Sequence, residues 1–216
     1  MSTPQPFDLR QTVCINPATG EIVGYSQMNT VEEAREAIRR ARAAQPAWAA
    51  LPLEERVRYI ARIRDYLVEH ADEVSNTVAR DVGKTRIEAL ATEVLTSALA
   101  TDYYLRNAKR FLKPRKVRGG SLLFLNKRSR IFRLPFGVIG IIAPWNYPLG
   151  IPMHEIVPAL LSGNTVIFKT APETQMVGRK IEEMIQAAGL PADVFVHLNI
   201  PGAIIGQILL EPDNHV

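Results

Sequence analysis

From Gly137 onward the chain alternates short β-branched apolar runs with helical patterns, and this restricts its fold more than any other feature. Gly137-Val-Ile-Gly-Ile-Ile-Ala143, Thr165-Val-Ile-Phe168 and Val194-Phe-Val196 read as strands, the first as one buried on both faces. Helical patterns follow each: about 152–161, about 174–188 closed by Gly189, and about 203–210. A β-α-β-α-β-α order implies a parallel sheet, because neighbouring parallel strands need a long return crossover. The fold class is therefore α/β. Residues 209–216 end a helix, turn and stop where a further strand is due, and three strands leave an unpaired edge. The expectation is a portion of a larger fold.

Upstream, Val13–Ile15 and Ile22–Tyr25 read as short strands around an Asn16–Gly20 turn. Thr30 and Glu33 match a capping box, opening a helix that runs to Gln45-Pro46. Further helices are expected at 53–70, at 71–81 with a stop at Gly83, and at 86–111 before Pro114. Val117, Leu122–Leu125 and Ile131–Leu134 suggest an extended antiparallel arm. The expected division is 1–116 for N-terminal strands and a helical bundle, 117–136 for the arm, and 137–216 for the α/β part. With 47% hydrophobic residues, 216 residues can bury a substantial core.

The net charge of +4 is unevenly spread. Between Tyr103 and His154 there are eleven lysines and arginines and no acid, so the rest of the chain is net acidic. A nucleic-acid footprint is one reading of that window; a solvated helix end followed by a charged hairpin is the other. No zinc-finger spacing, RNP-type motif or helix-turn-helix supports the first, so no nucleic-acid partner is expected. The single cysteine, Cys14, allows no internal disulfide and fits a reducing cytoplasm. No secretory signal is read at the start, and the apolar stretch 134–145 is broken by Pro135, Gly137, Gly140 and Pro144. No membrane segment is expected. His70, His154, His197 and His215 show no metal-ligand spacing, and no metal is expected.

Gly83-Lys84-Thr85 resembles the end of a phosphate-binding loop, but Val78 stands where the earlier glycine is required. It reads as a helix C-cap. Gly137 and Gly140 give a weak dinucleotide hint without a full glycine motif. Two loops carry more chemistry. Ala143-Pro-Trp-Asn-Tyr-Pro148 follows the first strand at its carboxyl end, where open α/β sheets place ligands. There Asn146 is either an amide donor for a developing oxyanion or a cap for the next segment. Lys169 falls at the end of the second strand and is either a cofactor ligand or a snorkelling surface lysine.

Taken together, Asn16-Pro-Ala-Thr-Gly-Glu21, Ala44-Gln-Pro-Ala-Trp48, Pro144-Trp-Asn-Tyr-Pro148 and Gly163-Asn-Thr-Val-Ile-Phe-Lys169 resemble the aldehyde dehydrogenase superfamily. The resemblance spans all 216 residues but only the first half of a typical member. It implies an incomplete Rossmann-like sheet and an activity oxidising aldehydes to acids with NAD or NADP, through a cysteine thiolate and a base glutamate. By resemblance Asn146 is the oxyanion donor, and Ala143, Pro144 and Trp145 wall the cofactor. Lys169 binds the adenosine ribose and Gly202 lines the adenine pocket. The family's ribose-binding glutamate falls at Pro172 here, with Glu173 one step further, so NAD and NADP both stay open. The Lys-x-Ala-Pro pattern is similar to that of some semialdehyde dehydrogenases. Cys14 matches no family cysteine motif, so the chain alone is expected to be inactive. Resemblance further implies a homo-oligomer, paired through the 117–135 arm by Leu122, Phe124, Ile131 and Phe132, or completion by a C-terminal half. The alternative is a non-catalytic interaction or nucleotide-binding module.

Overall fold

A computed structural model of the chain describes residues 10–117 and 128–211. It opens with an antiparallel pair, β1 (Gln11–Ile15) and β2 (Ile22–Gln27). Asn16 shapes the turn between them, its side-chain oxygen accepting from the Ala18 amide at 2.9 Å. Helix α1 (Val31–Ala50) starts at Thr30 with both halves of the capping box formed: Glu33 N donates to Thr30 Oγ1 at 3.1 Å and Thr30 N to Glu33 Oε2 at 2.8 Å. It does not stop at Pro46. An internal proline forfeits a backbone hydrogen bond and costs about 3 kcal/mol. Two anchors beside it offset that. Trp48 is buried and its Nε1 donates to Leu160 O at 3.1 Å, while Gln45 Nε2 donates to Gly163 O at 2.9 Å.

Helices α2 (Leu53–Glu69) and α3 (Ala71–Val82) turn Ile60, Ile63, Leu67, Val74 and Val78 inward. Gly83 closes α3 in the left-handed region at φ 78°, as a C-cap glycine does. The long helix expected over 86–111 is α4 (Arg86–Ala89) and α5 (Leu95–Leu112), joined by a π-helical turn at Leu90–Val94. That turn lengthens the ladder by one residue, which hydrophobic spacing does not announce. It leaves Glu93 fully buried. Strands β3 (Arg115–Val117) and β4 (Ser129–Ile131) pair antiparallel, with all six residues exposed. The returning strand lies at 129–131 rather than 131–134, because Ile131 already pairs with Arg115 and the preceding Pro114 has no N–H to extend the ladder. Leu122 and Phe124 of the expected arm lie outside the described residues.

The parallel sheet is β5 (Val138–Ile142), β6 (Thr165–Lys169) and β7 (Phe195–Leu198), in that spatial order. Helices α6 (Gly150–Leu161) and α7 (Gln175–Ala187) make the crossovers and α8 (Gly202–Leu209) follows β7. β6 is buried at every residue. Its alternation divides the interior: Val166 and Phe168 face the larger core with Ile141, α2, α3, α6 and α7, while Ile167 faces the smaller one with Val138, Leu198, α1 and α8. β5 is not buried on both faces. It is an edge strand, and the cover given by α1 and α8 stops short of Gly140 and of Ile142, which is 50% exposed. β7 starts one residue later than expected and runs through His197 to Leu198. Among the described residues no helix is long and apolar enough to cross a membrane.

Candidate functional site

The carboxyl ends of the three strands meet around Lys169. It pairs in register with Ile142 on one side and Leu198 on the other, and Ala143 N donates to Lys169 O at 2.9 Å. Strand alternation puts Lys169 on the face of Ile167, towards α8. The residue is only 5% exposed, and its Nζ makes no hydrogen bond or ion pair with the described residues. Burial lowers its pKa, and the field of Glu173 partly opposes that. The aliphatic stem is thus packed away while the head, which is not among the fully buried unpaired polar atoms, keeps access to solvent at the strand end.

The surroundings favour an anionic or hydroxyl-bearing guest. A Cβ placed on Gly202 would lie 3.9 Å from Lys169 Nζ, so the first residue of α8 leaves the lysine head uncovered. No side chain caps α8, and its first amides carry the positive end of the helix dipole. Ile142, paired with Lys169 in the sheet, is 50% exposed, and Trp145 in the loop beyond it is 59% exposed. Ala143 is buried and Pro144 half-buried between them. Pro172 opens a 3₁₀ turn and faces solvent, as does Glu173. The edge is open rather than enclosed. Clefts of about 630 Å³ between α3 and α7 and about 860 Å³ beside the arm are lined by neither Asn146 nor Lys169.

Asn146 is exposed, and its Oδ1 accepts from Tyr147 N at 3.1 Å. That contact is with the next residue and not with an amide of α6, which begins after Leu149 with no side-chain cap, so Asn146 does not cap the helix; its Nδ2 amide has no partner among the described residues. The turn around it is held from below by two residues that sequence reasoning missed. Lys84 Nζ reaches Glu93 Oε1 at 2.6 Å and donates to Asn146 O at 2.9 Å. The other oxygen of Glu93 accepts from Leu149 N at 2.9 Å and Gly150 N at 3.1 Å, at the start of α6. The one available signal was a glutamate amid the apolar positions of a helix. Among the described residues no cluster of three His, Cys, Asp or Glu side chains could hold a metal.

The carboxyl edge of the three-stranded parallel sheet, the place where open α/β sheets bind ligands, thus carries Lys169 and the turn bearing Asn146. The chain belongs to the aldehyde dehydrogenase family, whose profile matches residues 6–215. It is 36% identical over 201 residues to alpha-ketoglutaric semialdehyde dehydrogenase of Bacillus subtilis (strain 168), across 92% of this chain and 40% of that protein. Its structure is similar to that of an NADP-dependent glyceraldehyde-3-phosphate dehydrogenase from Bacillus halodurans C-125 complexed with NADP, with TM-score 0.86 and 29% identity over 94% of this chain and 43% of that one. It is also similar to a NAD-dependent benzaldehyde dehydrogenase from Corynebacterium glutamicum, with TM-score 0.82 and 29% identity over 92% and 42%. The α/β architecture with a Rossmann-like sheet is thus the one expected. The chain spans about 40% of the length of the curated relative it matches.

Proposed function

We propose that this chain is the cofactor-binding and carbonyl-orienting portion of an NAD- or NADP-dependent oxidoreductase that converts aldehydes to carboxylic acids. The observation that carries the reading is Lys169, a largely buried side chain at a strand end whose Nζ has no partner among the described residues and lies uncovered beside Gly202. NAD or NADP, when bound, supplies the hydride acceptor. Lys169 Nζ donates to the ribose hydroxyls, and Gly202 admits the adenine side because it has no Cβ to fill the gap. Ala143, Pro144 and Trp145 form the wall, and Pro172 and Glu173 border the ribose. The exposed Glu173 carboxylate disfavours a 2′-phosphate, while the unpaired Lys169 favours one, so the two cofactors are to be titrated side by side. The free amide of Asn146 donates to the aldehyde oxygen as negative charge develops there.

The nucleophile is not Cys14. It is the only cysteine of the 216 residues, and its buried thiol is pushed up to about 11, first by desolvation and then by Asp81. The chain alone therefore turns over no aldehyde. In this reading 1–116 packs on the cofactor part at 137–216, and the 117–136 arm pairs with a second copy in a cytoplasmic oligomer or with a C-terminal half. Titration of the chain with NAD and NADP, followed by Trp145 fluorescence, tests the reading. Binding of at least one cofactor is expected, weakened about tenfold, or ~1.4 kcal/mol, by Lys169→Met. Binding that is absent, or indifferent to Lys169, overturns it.

A further inference from the structure

The turn bearing Asn146 is fastened by two residues that belong to a different part of the chain. Lys84 lies just beyond the Gly83 cap, and Glu93 sits in the π-helical turn. Their side chains are 8% and 0% exposed. Each oxygen of Glu93 is engaged, one by Lys84 Nζ at 2.6 Å and the other by the Leu149 and Gly150 amides at 2.9 and 3.1 Å. Lys84 Nζ also donates to Asn146 O at 2.9 Å and lies 4.3 Å from the centroid of the Tyr147 ring. Four contacts from one ion pair therefore end on residues 146–150.

A buried ion pair is a poor stabiliser compared with apolar residues of the same volume, because both charges lose their water. What it supplies is direction: each bond has a fixed donor, acceptor and angle. Here those directions pin the Asn146 carbonyl from one side and the first amides of α6 from the other. With Asn146 Oδ1 held by Tyr147 N at 3.1 Å and its carbonyl by Lys84, the side-chain Nδ2 is left without a partner among the described residues. The π-helical turn is part of the device. An unbroken α-helix would shift the register of Glu93 relative to α6.

We propose that Lys84 and Glu93 are positioning residues for the Asn146 amide, setting its orientation at the carboxyl edge of the sheet without touching the guest. The catalytic meaning rests on the role given to Asn146 above, whereas the geometry does not. The test is ¹⁵N-edited NMR of the full 216-residue chain without cofactor. The Asn146 side-chain amide is assigned by its disappearance in Asn146→Asp. The Trp48 indole N–H, bonded to Leu160 O at 3.1 Å, serves as the folding control. In Lys84→Met the Asn146 amide pair is expected to move by several linewidths or to broaden, while Trp48 stays in place. Glu93→Gln keeps an acceptor for the α6 amides but removes the charge facing Lys84. It should shift the same signals in a chain that remains folded. Unchanged Asn146 signals in both variants overturn the proposal, as does loss of the Trp48 signal in both, which marks a purely structural pair. A moved Asn146 amide in a chain that binds neither NAD nor NADP would sink the functional reading and leave this one standing.

Discussion

Asp81 is a carboxylate placed out of the reach of water. It is 2% exposed and its Oδ2 accepts from Val177 N at 2.9 Å at the start of α7, while Oδ1 has no partner. Burial outweighs the amide bonds and raises its pKa from 3.8 to about 6. A raised carboxyl pKa means that the folded state holds the proton more tightly than the unfolded state. Its contribution to stability is therefore greatest below pH 3.8 and is lost as pH rises towards 6. Asp81→Asn removes the charge and keeps an acceptor for Val177. Relative to the original chain, the variant should gain about 2 kcal/mol of unfolding free energy between pH 4 and pH 7, measured by urea denaturation. A difference independent of pH would show that Asp81 binds its proton no more tightly in the folded than in the unfolded chain. Burial, with this carboxylate adding to it, raises the Cys14 thiol to about 11, so native Cys14 should resist thiol reagents at pH 8 and react only on unfolding.

Between elements, one polar joint is built on Arg56. Its guanidinium is buried and has no carboxylate partner. Nε donates to Leu161 O at 3.1 Å, and Nη1 donates to Trp48 O and Ala49 O at 3.4 and 3.0 Å. These carbonyls lie in the last turns of α6 and α1, where a cation also meets the negative end of each helix dipole. Arg56→Met would strip both ends of their cap and should cost about 3 kcal/mol of unfolding free energy, with no change in the far-ultraviolet spectrum of the folded state. A loss under 0.5 kcal/mol, read as roughly the scatter of surface substitutions, would reduce Arg56 to a bystander. The joint also explains why α1 passes Pro46: its last turn is held by Trp48 and Arg56, two and ten residues further along the chain.

For the whole chain the decisive prediction is catalytic silence. Purified 1–216 should reduce neither NAD nor NADP in the presence of an aldehyde, since no thiolate stands near Asn146; measurable aldehyde-dependent absorbance at the nicotinamide band would refute this. Elements that depend on neighbouring residues were legible beforehand. The Thr30–Glu33 box, the Gly83 stop, the Asn16 turn and the three β-branched strands all rest on dihedral preference or on periodicities of two and 3.6. Such preferences act within a few residues, so the sequence alone determined the order of elements, the parallel sheet and the placing of Asn146 and Lys169 at its carboxyl edge. Tertiary structure decided the rest. The open outer half of β5, the π-helical turn, the partnerless state of Lys169 and the Lys84–Glu93 pair beneath Asn146 each depend on segments tens of residues apart. Burial and ion pairing are set by what packs against a side chain, and that is known only when the chain has closed on itself.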